Sequence, residues 1–162
     1  MRALLRAVAL FLALTGAALA GPFEDADAAY IRGDYTTTFR IIRPLAERGD
    51  ARAQNLLGVL YSLGQGATQD YSAALRWFAM SAEQGNPSAL LNLARMYYTG
   101  RGINDLTRAH MYSNLAAVRL SPGSNLETAI AIRNAAEGLM TSRQIAEAQR
   151  LAREWDAAHP RR

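Results

Sequence analysis

The stretch LGVLYSLGQG (residues 57–66) returns further along the chain as LARMYYTGRG (residues 93–102). In both copies a tyrosine is followed by two glycines at the same spacing, and the copies lie 36 positions apart. The agreement extends backwards, because residues 33–50 align with residues 69–86 in the same register. Self-similarity at a period of this length is the signature of a solenoid of structural repeats.

Each repeat unit has the pattern of two helices joined by a glycine turn. Asn86 is a good N-cap for the first helix, and Pro87 fits its first helical position. Gly100 is suited to end that helix, and Asp70 and Asp105 are candidate caps of the second helices. Apolar or small residues then recur at helical spacing, at Ala89, Leu90, Leu93, Ala94 and Tyr97 in a first helix and at Ala74, Trp77, Phe78, Ser81 and Ala82 in a second.

One segment conflicts with this pattern. YTTTFRII (residues 35–42) has the composition of a strand, but its register over residues 71–78 predicts a helix, and β-propensity depends strongly on context. Pro44 lies late in that helix, so we expect a kink or an early end there.

The C-terminal third follows a different pattern. Ser124 with Glu127 and Thr141 with Gln144 have the spacing of capping boxes, which predicts two more helices. The last helix presents an apolar face formed by Ile145, Ala148, Ala152 and Trp155. A solenoid needs such a terminal cap to cover its open core edge.

Twelve positions of the central unit fit one pattern, carried by Ala53, Leu57, Gly58, Tyr61, Gly64, Gly66, Asp70, Ala74, Trp77, Ala82, Gly85 and Asn86. This pattern resembles the Sel-one-like repeat, a relative of the tetratricopeptide repeat. The resemblance implies an all-α, α/α superhelical solenoid with a C-terminal helical cap. We divide the repeat region, residues 21–123, into a partial unit, a full unit and a divergent unit at 33–50, 51–86 and 87–121, followed by the cap at 124–162.

The first twenty residues have the pattern of a signal peptide. A basic start is followed by a short apolar run and a small-residue cleavage site, which predicts cleavage before Gly21 and export to the periplasm or beyond. The alternative is an uncleaved anchor, whereas a lipoprotein is excluded because Gly21 is not cysteine. Cleavage would leave 16 arginines against 14 acidic residues. This near balance implies neither a nucleic-acid partner nor a membrane surface, and we expect no stable membrane insertion after cleavage.

The chemistry-bearing residues do not form a recognisable catalytic or metal site. The chain has no cysteine and two histidines, His110 and His159, so we expect no metal and no catalysis. Asp105 could lie near His110, but we expect it to cap its helix while His110 faces solvent. The glycine pairs lack the third glycine of a nucleotide fingerprint and follow a helix instead of a strand. No cofactor is therefore predicted.

The first helix of each repeat lines the concave surface of a tetratricopeptide-like solenoid. If Leu57 and Tyr61 face the core, the opposite side of the same helices forms a candidate protein-binding row. This row comprises Arg52, Asn55, Val59, Ser62, Ser88, Leu91, Arg95 and Tyr98. Its arginines could hold a carboxylate through two parallel hydrogen bonds, and its apolar members could contact an extended peptide.

The resemblance implies protein–protein assembly, so we expect an adaptor or scaffold that binds a protein or peptide partner in the bacterial cell envelope. Two alternatives remain open. A cysteine-rich branch of the same family is associated with β-lactam binding and hydrolysis, although this chain lacks those cysteines. A module that binds cell-wall polysaccharide would use aromatic residues on the concave face, where Tyr98 is the candidate.

Overall fold

A computed structural model describes residues 21–160, and the predicted signal peptide lies outside this range. The described residues form eight α-helices and no strand, as an all-α solenoid requires. The helices are α1 (Pro22–Ile31), α2 (Tyr35–Glu47), α3 (Ala51–Leu63), α4 (Tyr71–Glu83), α5 (Pro87–Thr99), α6 (Leu106–Ala117), α7 (Ser124–Glu137) and α8 (Ser142–Ala158).

Helices α1 to α6 each pack on the next helix in the chain, so α1, α3 and α5 are first helices and α2, α4 and α6 are second helices of successive pairs. The C-terminal pair is different. Helix α7 packs on α5 and α6, and α8 packs on α6, with little contact between α7 and α8. The cap is therefore two helices laid separately on α6, not a further hairpin.

Polar side chains fix the starts of most helices. The predicted caps are confirmed: Asn86 accepts from two backbone N–H groups at the start of α5, and Asp70 and Asp105 accept from one each. Thr141 and Gln144 form the predicted capping box. The capping box predicted at Ser124 is wrong, because α7 begins one residue earlier than expected, with Gly123 as its N-cap and no side-chain cap.

The strand-like segment after Asp34 is helical, as its register predicts. Thr38 is fully buried in α2, and its hydroxyl donates to the backbone carbonyl of Asp34. The early end expected at Pro44 is wrong, since α2 continues to Glu47. A proline in the last turn removes a single helical hydrogen bond, which the rest of the helix tolerates.

The buried side chains form two clusters. The N-terminal cluster holds Ala26, Ile42, Ala46, Ala53, Leu57 and Leu60. The C-terminal cluster runs from Ala74 of α4 to Trp155 of α8 and contains 17 buried residues. Tyr61 packs against both clusters and joins them.

Gly58 allows α3 and α4 to approach closely. A Cβ atom at this position would lie 2.6 Å from the Phe78 ring, well inside van der Waals contact. This close approach of α3 and α4 depends on Gly58, and the side chain it meets is Phe78.

The C-terminal end of α8 is tied back to the repeats by polar contacts. Glu83 at the end of α4 accepts from Trp155 at 3.5 Å and pairs with His159 at 2.9 Å. The nearly buried Arg119 pairs with Asp156 at 2.6 Å and lies over the Trp155 ring at 4.8 Å. These contacts hold the cap on both α4 and the end of α6.

Candidate functional site

A groove of about 530 Å³ lies between α1, α3 and the start of α5. Three residues of the predicted row, Arg52, Asn55 and Ser88, line this groove. The other lining residues are Phe23 and Asp27 of α1, Ala51 and Leu56 of α3, and Gln84, Gly85, Asn86 and Pro87 of the α4–α5 connection. We call this feature the α1–α3 groove.

Arg52 is the charged centre of the α1–α3 groove. Its guanidinium carbon lies over the Phe23 ring, 3.8 Å from the ring centre, which is the distance of a cation–π contact. A guanidinium that makes such a contact keeps N–H donors for hydrogen bonds to a ligand. Arg52 remains exposed and forms no ion pair with any residue between 21 and 160.

The floor of the α1–α3 groove is held by hydrogen bonds between two helix connections. Gln84 donates to the Gly49 carbonyl at 3.0 Å and to Gln54 at 2.8 Å. Asn86 donates to the Ala51 carbonyl at 3.3 Å, and the same carbonyl accepts from Ser81 at 2.6 Å. These side chains fix the start of α5 against the start of α3, which preorganises the groove.

Two members of the predicted row make contacts with neighbouring helices. Asn55 accepts from the Asn92 side chain at 3.0 Å, so it bridges α3 and α5 while still lining the α1–α3 groove. Leu91, its counterpart one repeat later, is 3% exposed and belongs to the C-terminal cluster with Ala129 and Ile132 of α7. The predicted exposure of Leu91 is wrong because α7 packs on α5 at this position.

The remaining row members lie outside the groove. Val59 and Tyr98 are half-buried against the C-terminal cluster, and the Ser62 hydroxyl donates to the Val59 carbonyl at 2.8 Å. Arg95 is exposed on α5. Three residues of the predicted row therefore lie together in the α1–α3 groove, and the other five lie elsewhere.

Sequence reasoning missed α1, which supplies Phe23 and Asp27. A signal was present, because Tyr30 and Gly33 have the same spacing as Tyr61 and Gly64. The α1–α2 connection spans residues 32–34, shorter than residues 64–70 between α3 and α4, so this unit falls out of the 36-residue register.

The histidines lie in structural contacts. The predicted solvent exposure of His110 is wrong: it is 3% exposed, since α7 covers this side of α6. Burial lowers the pKa of His110 below its ordinary value, although the hydrogen bond to Glu137 opposes this shift. Asp105 caps α6 as predicted. Among residues 21–160, no three acidic or histidine side chains come together as a metal site.

No helix within residues 21–160 has the length and apolar character needed to cross a bilayer.

The sequence of this chain is similar to a family of helical repeats and to proteins that contain them. Residues 51–86 and 87–117 match the family model of the Sel1 repeat. Two curated relatives are ERAD-associated E3 ubiquitin-protein ligase components of Arabidopsis thaliana. HRD3A is 32% identical over 72 residues, covering 44% of this chain and 11% of the relative. HRD3B is 33% identical over 97 residues, covering 58% of this chain and 15% of the relative.

A solved structure extends the likeness to most of the fold. The protein c5321, a protective antigen present in uropathogenic Escherichia coli strains, displays an SLR fold and superposes with a TM-score of 0.75. It is 25% identical, and the match covers 86% of this chain and 30% of that chain. This chain thus spans less than a third of each of these three relatives.

Proposed function

Because this chain is a helical repeat protein of the Sel1-like repeat family, we propose that it is an exported, non-catalytic adaptor that binds an extended segment of another protein in the α1–α3 groove. The repeat family is one of protein–protein interaction modules. The similarity to HRD3A, named as a component of a ubiquitin ligase, supports a role in an assembly.

The observation that carries the proposal is Arg52, an exposed cation in contact with the Phe23 ring in a groove whose floor is already fixed. Its N–H donors are free to form two parallel hydrogen bonds with a carboxylate. Because the Gln84 and Asn86 contacts order the groove before binding, a ligand would lose less conformational entropy than on a mobile surface.

The groove also favours one polarity of charge along the ligand. Asp27 on α1 lies on the same groove as Arg52, so the two walls offer one negative and one positive group. A segment with an acidic side chain near Arg52 and a basic side chain near Asp27 would satisfy both. Pro87 and Leu56 line the same groove and offer apolar contact to the ligand.

The cellular location is part of the proposal and rests on the first twenty residues. Their basic start, apolar run and small-residue site support export with cleavage before Gly21. Mass spectrometry of the protein from the cell envelope should find Gly21 as the first residue. Retention of Met1 there would contradict cleavage.

Site-specific photo-crosslinking tests the binding face. A photoreactive amino acid at Ser88 lies in the α1–α3 groove, and one at Arg143 on the exposed start of α8 is the control. We expect one protein from the envelope fraction to be captured from Ser88 and not from Arg143. The same capture should be lost when Arg52→Glu is added to the Ser88 probe.

Two results would count against the groove. One is capture from Ser88 that Arg52→Glu leaves unchanged. The other is capture from neither position although circular dichroism shows a folded helical protein.

A further inference from the structure

A second pocket, of about 450 Å³, opens where α7 and α8 separate over α6. Its volume lies in the range of small-ligand sites. The polar residues that line it are His110 and Asn114 of α6, Arg133 and Glu137 of α7, and Gln149, Arg153 and Asp156 of α8. We call it the cap pocket. It shares no residue with the α1–α3 groove and does not depend on the proposed function.

His110 in the cap pocket is a buried polar group with an unfilled hydrogen bond. Its Nε2 atom lies 3.5 Å from the Glu137 carboxylate, while its buried Nδ1 atom has no partner within residues 21–160. A carboxylate accepts, so the neutral ring carries its hydrogen on Nε2 and leaves a lone pair on Nδ1. Buried polar atoms are nearly always paired, so this nitrogen needs an N–H or O–H donor.

Three arginines, Arg119, Arg133 and Arg153, and two carboxylates, Glu137 and Asp156, lie in or beside the cap pocket, which leaves an excess of one positive charge. Asp156 pairs with Arg119 at 2.6 Å, and Glu137 faces His110. Arg153 and Arg133 form no ion pair with any described residue, although Arg133 donates to the Asn134 side chain. Two guanidinium groups on opposite helices are thus available to an anion, and planar carboxylates match their donor geometry.

We propose that the cap pocket binds an acylated amino acid with a free carboxylate. The carboxylate lies between Arg133 and Arg153, and the adjacent amide N–H supplies the donor that His110 lacks. Two sources present this chemistry: the C-terminal residue of a protein chain and a small N-acyl amino acid.

Isothermal titration of the full chain tests this site with defined probes. N-acetyl-alanyl-alanine carries the free carboxylate, and its C-terminal amide does not. We expect the acid to bind at least roughly tenfold more tightly than the amide, which is the usual weight of a charged hydrogen bond. N-acetylalanine distinguishes the sources: equal affinity indicates a small ligand, and weaker affinity indicates a chain terminus.

The exposed Arg153 and the half-buried Arg133 are mutated, since neither belongs to the buried core. Arg153→Gln and Arg133→Gln should each reduce affinity for the acid to about that of the amide, while Arg143→Gln, an equal charge change outside the pocket, leaves it unchanged. The proposal is overturned if acid and amide bind equally, if the acid shows no binding at millimolar concentration, or if Arg143→Gln weakens binding as much as Arg153→Gln does.

Discussion

The central pair α3–α4 and the C-terminal pair α7–α8 bury their apolar faces in different ways. Helices α3 and α4 pack on each other closely enough that a Cβ atom at Gly58 would lie 2.6 Å from the Phe78 ring, whereas α7 and α8 each pack on α6. The N-terminal cluster contains six buried residues and the C-terminal cluster 17. Burial is therefore concentrated at the C-terminal end, while the N-terminal end offers its first helices to solvent.

From this difference we expect the C-terminal end to contribute mainly to stability and the N-terminal end mainly to binding. The cap is tied to the repeats by Arg119 and Glu83, and its closure covers Leu91 on α5. No helix among residues 21–160 covers α1 in the same way, and the exposed Arg52 remains beside it. We expect changes in the C-terminal cluster to affect folding and changes in the α1–α3 groove to affect binding.

The largest loss of stability is expected when a core leucine is replaced by alanine. Leu57 and Leu93 occupy equivalent positions in successive repeats and allow a direct comparison. Both are almost completely buried, but they belong to different clusters. Leu→Ala in a core costs about 2–5 kcal/mol, depending on how far the site can collapse. Leu93→Ala should fall near the upper end because its neighbours are held by the cap, and Leu57→Ala near the lower end.

Urea denaturation of both variants measures this difference. Equal losses of unfolding free energy would show that the two clusters are equally rigid, and a larger loss for Leu57→Ala would reverse the comparison.

The next effect compares Gly58 with Ala94, its counterpart one repeat later. Gly58→Ala would place a methyl group against the Phe78 ring, and overpacking of this kind costs about 1–3 kcal/mol. Ala94 is fully buried, so Ala94→Gly should cost about 1 kcal/mol through helix propensity and about 0.8 kcal/mol more through the loss of its buried methyl group, without any steric clash. Thermal unfolding of the two variants decides this point, and stabilisation by Gly58→Ala would mean that the ring moves aside freely.

Most of the fold could be predicted from the repeat pattern in the sequence. Caps such as Asn86 and Asp70 act through neighbours within a few residues, so their spacing predicts them. The first helix, α1, was missed since its shorter connection breaks the register. Ser124 was misassigned because it is the first residue of α7 and not its N-cap, which places Glu127 beyond the N3 position of a capping box.

Candidate site residues were harder to predict, since their exposure depends on helices distant in sequence. Leu91 and His110 both lie on faces that the repeat pattern leaves open, and α7 closes both. The sequence indicated a cap but contained no information on which faces it covers. Arg52 was identified because its helix face depends on local spacing alone, whereas its partner Phe23 lay outside the pattern.

A smaller effect concerns pH and the buried His110. Its pKa is lowered from the ordinary value of 6.5 by burial and by Arg133, with Glu137 opposing. The unfolded chain therefore takes up a proton on this histidine at a pH where the folded chain does not. The contribution of His110 to the free energy of unfolding is fully present above pH 6.5 and decreases as the pH falls below that value. His110→Gln should remove this part of the pH dependence.

Urea denaturation of the wild type and of His110→Gln between about pH 7.5 and 5.5 measures this term, since other titrating groups contribute equally to both proteins. Parallel pH profiles would show that His110 is protonated equally in the folded and unfolded states.

The smallest effect on stability should accompany the largest effect on binding. Arg52→Ala removes an exposed cation–π contact with Phe23, which contributes about 0.5–1 kcal/mol. Partner capture through Ser88 should nevertheless be lost, since the carboxylate contact depends on that guanidinium. Arg52→Lys separates the two roles: a lysine keeps the charge but has no planar fork, so binding should recover only in part. Full recovery with lysine would show that the groove recognises charge alone, and unchanged capture with alanine would move the recognition surface away from the N-terminal end.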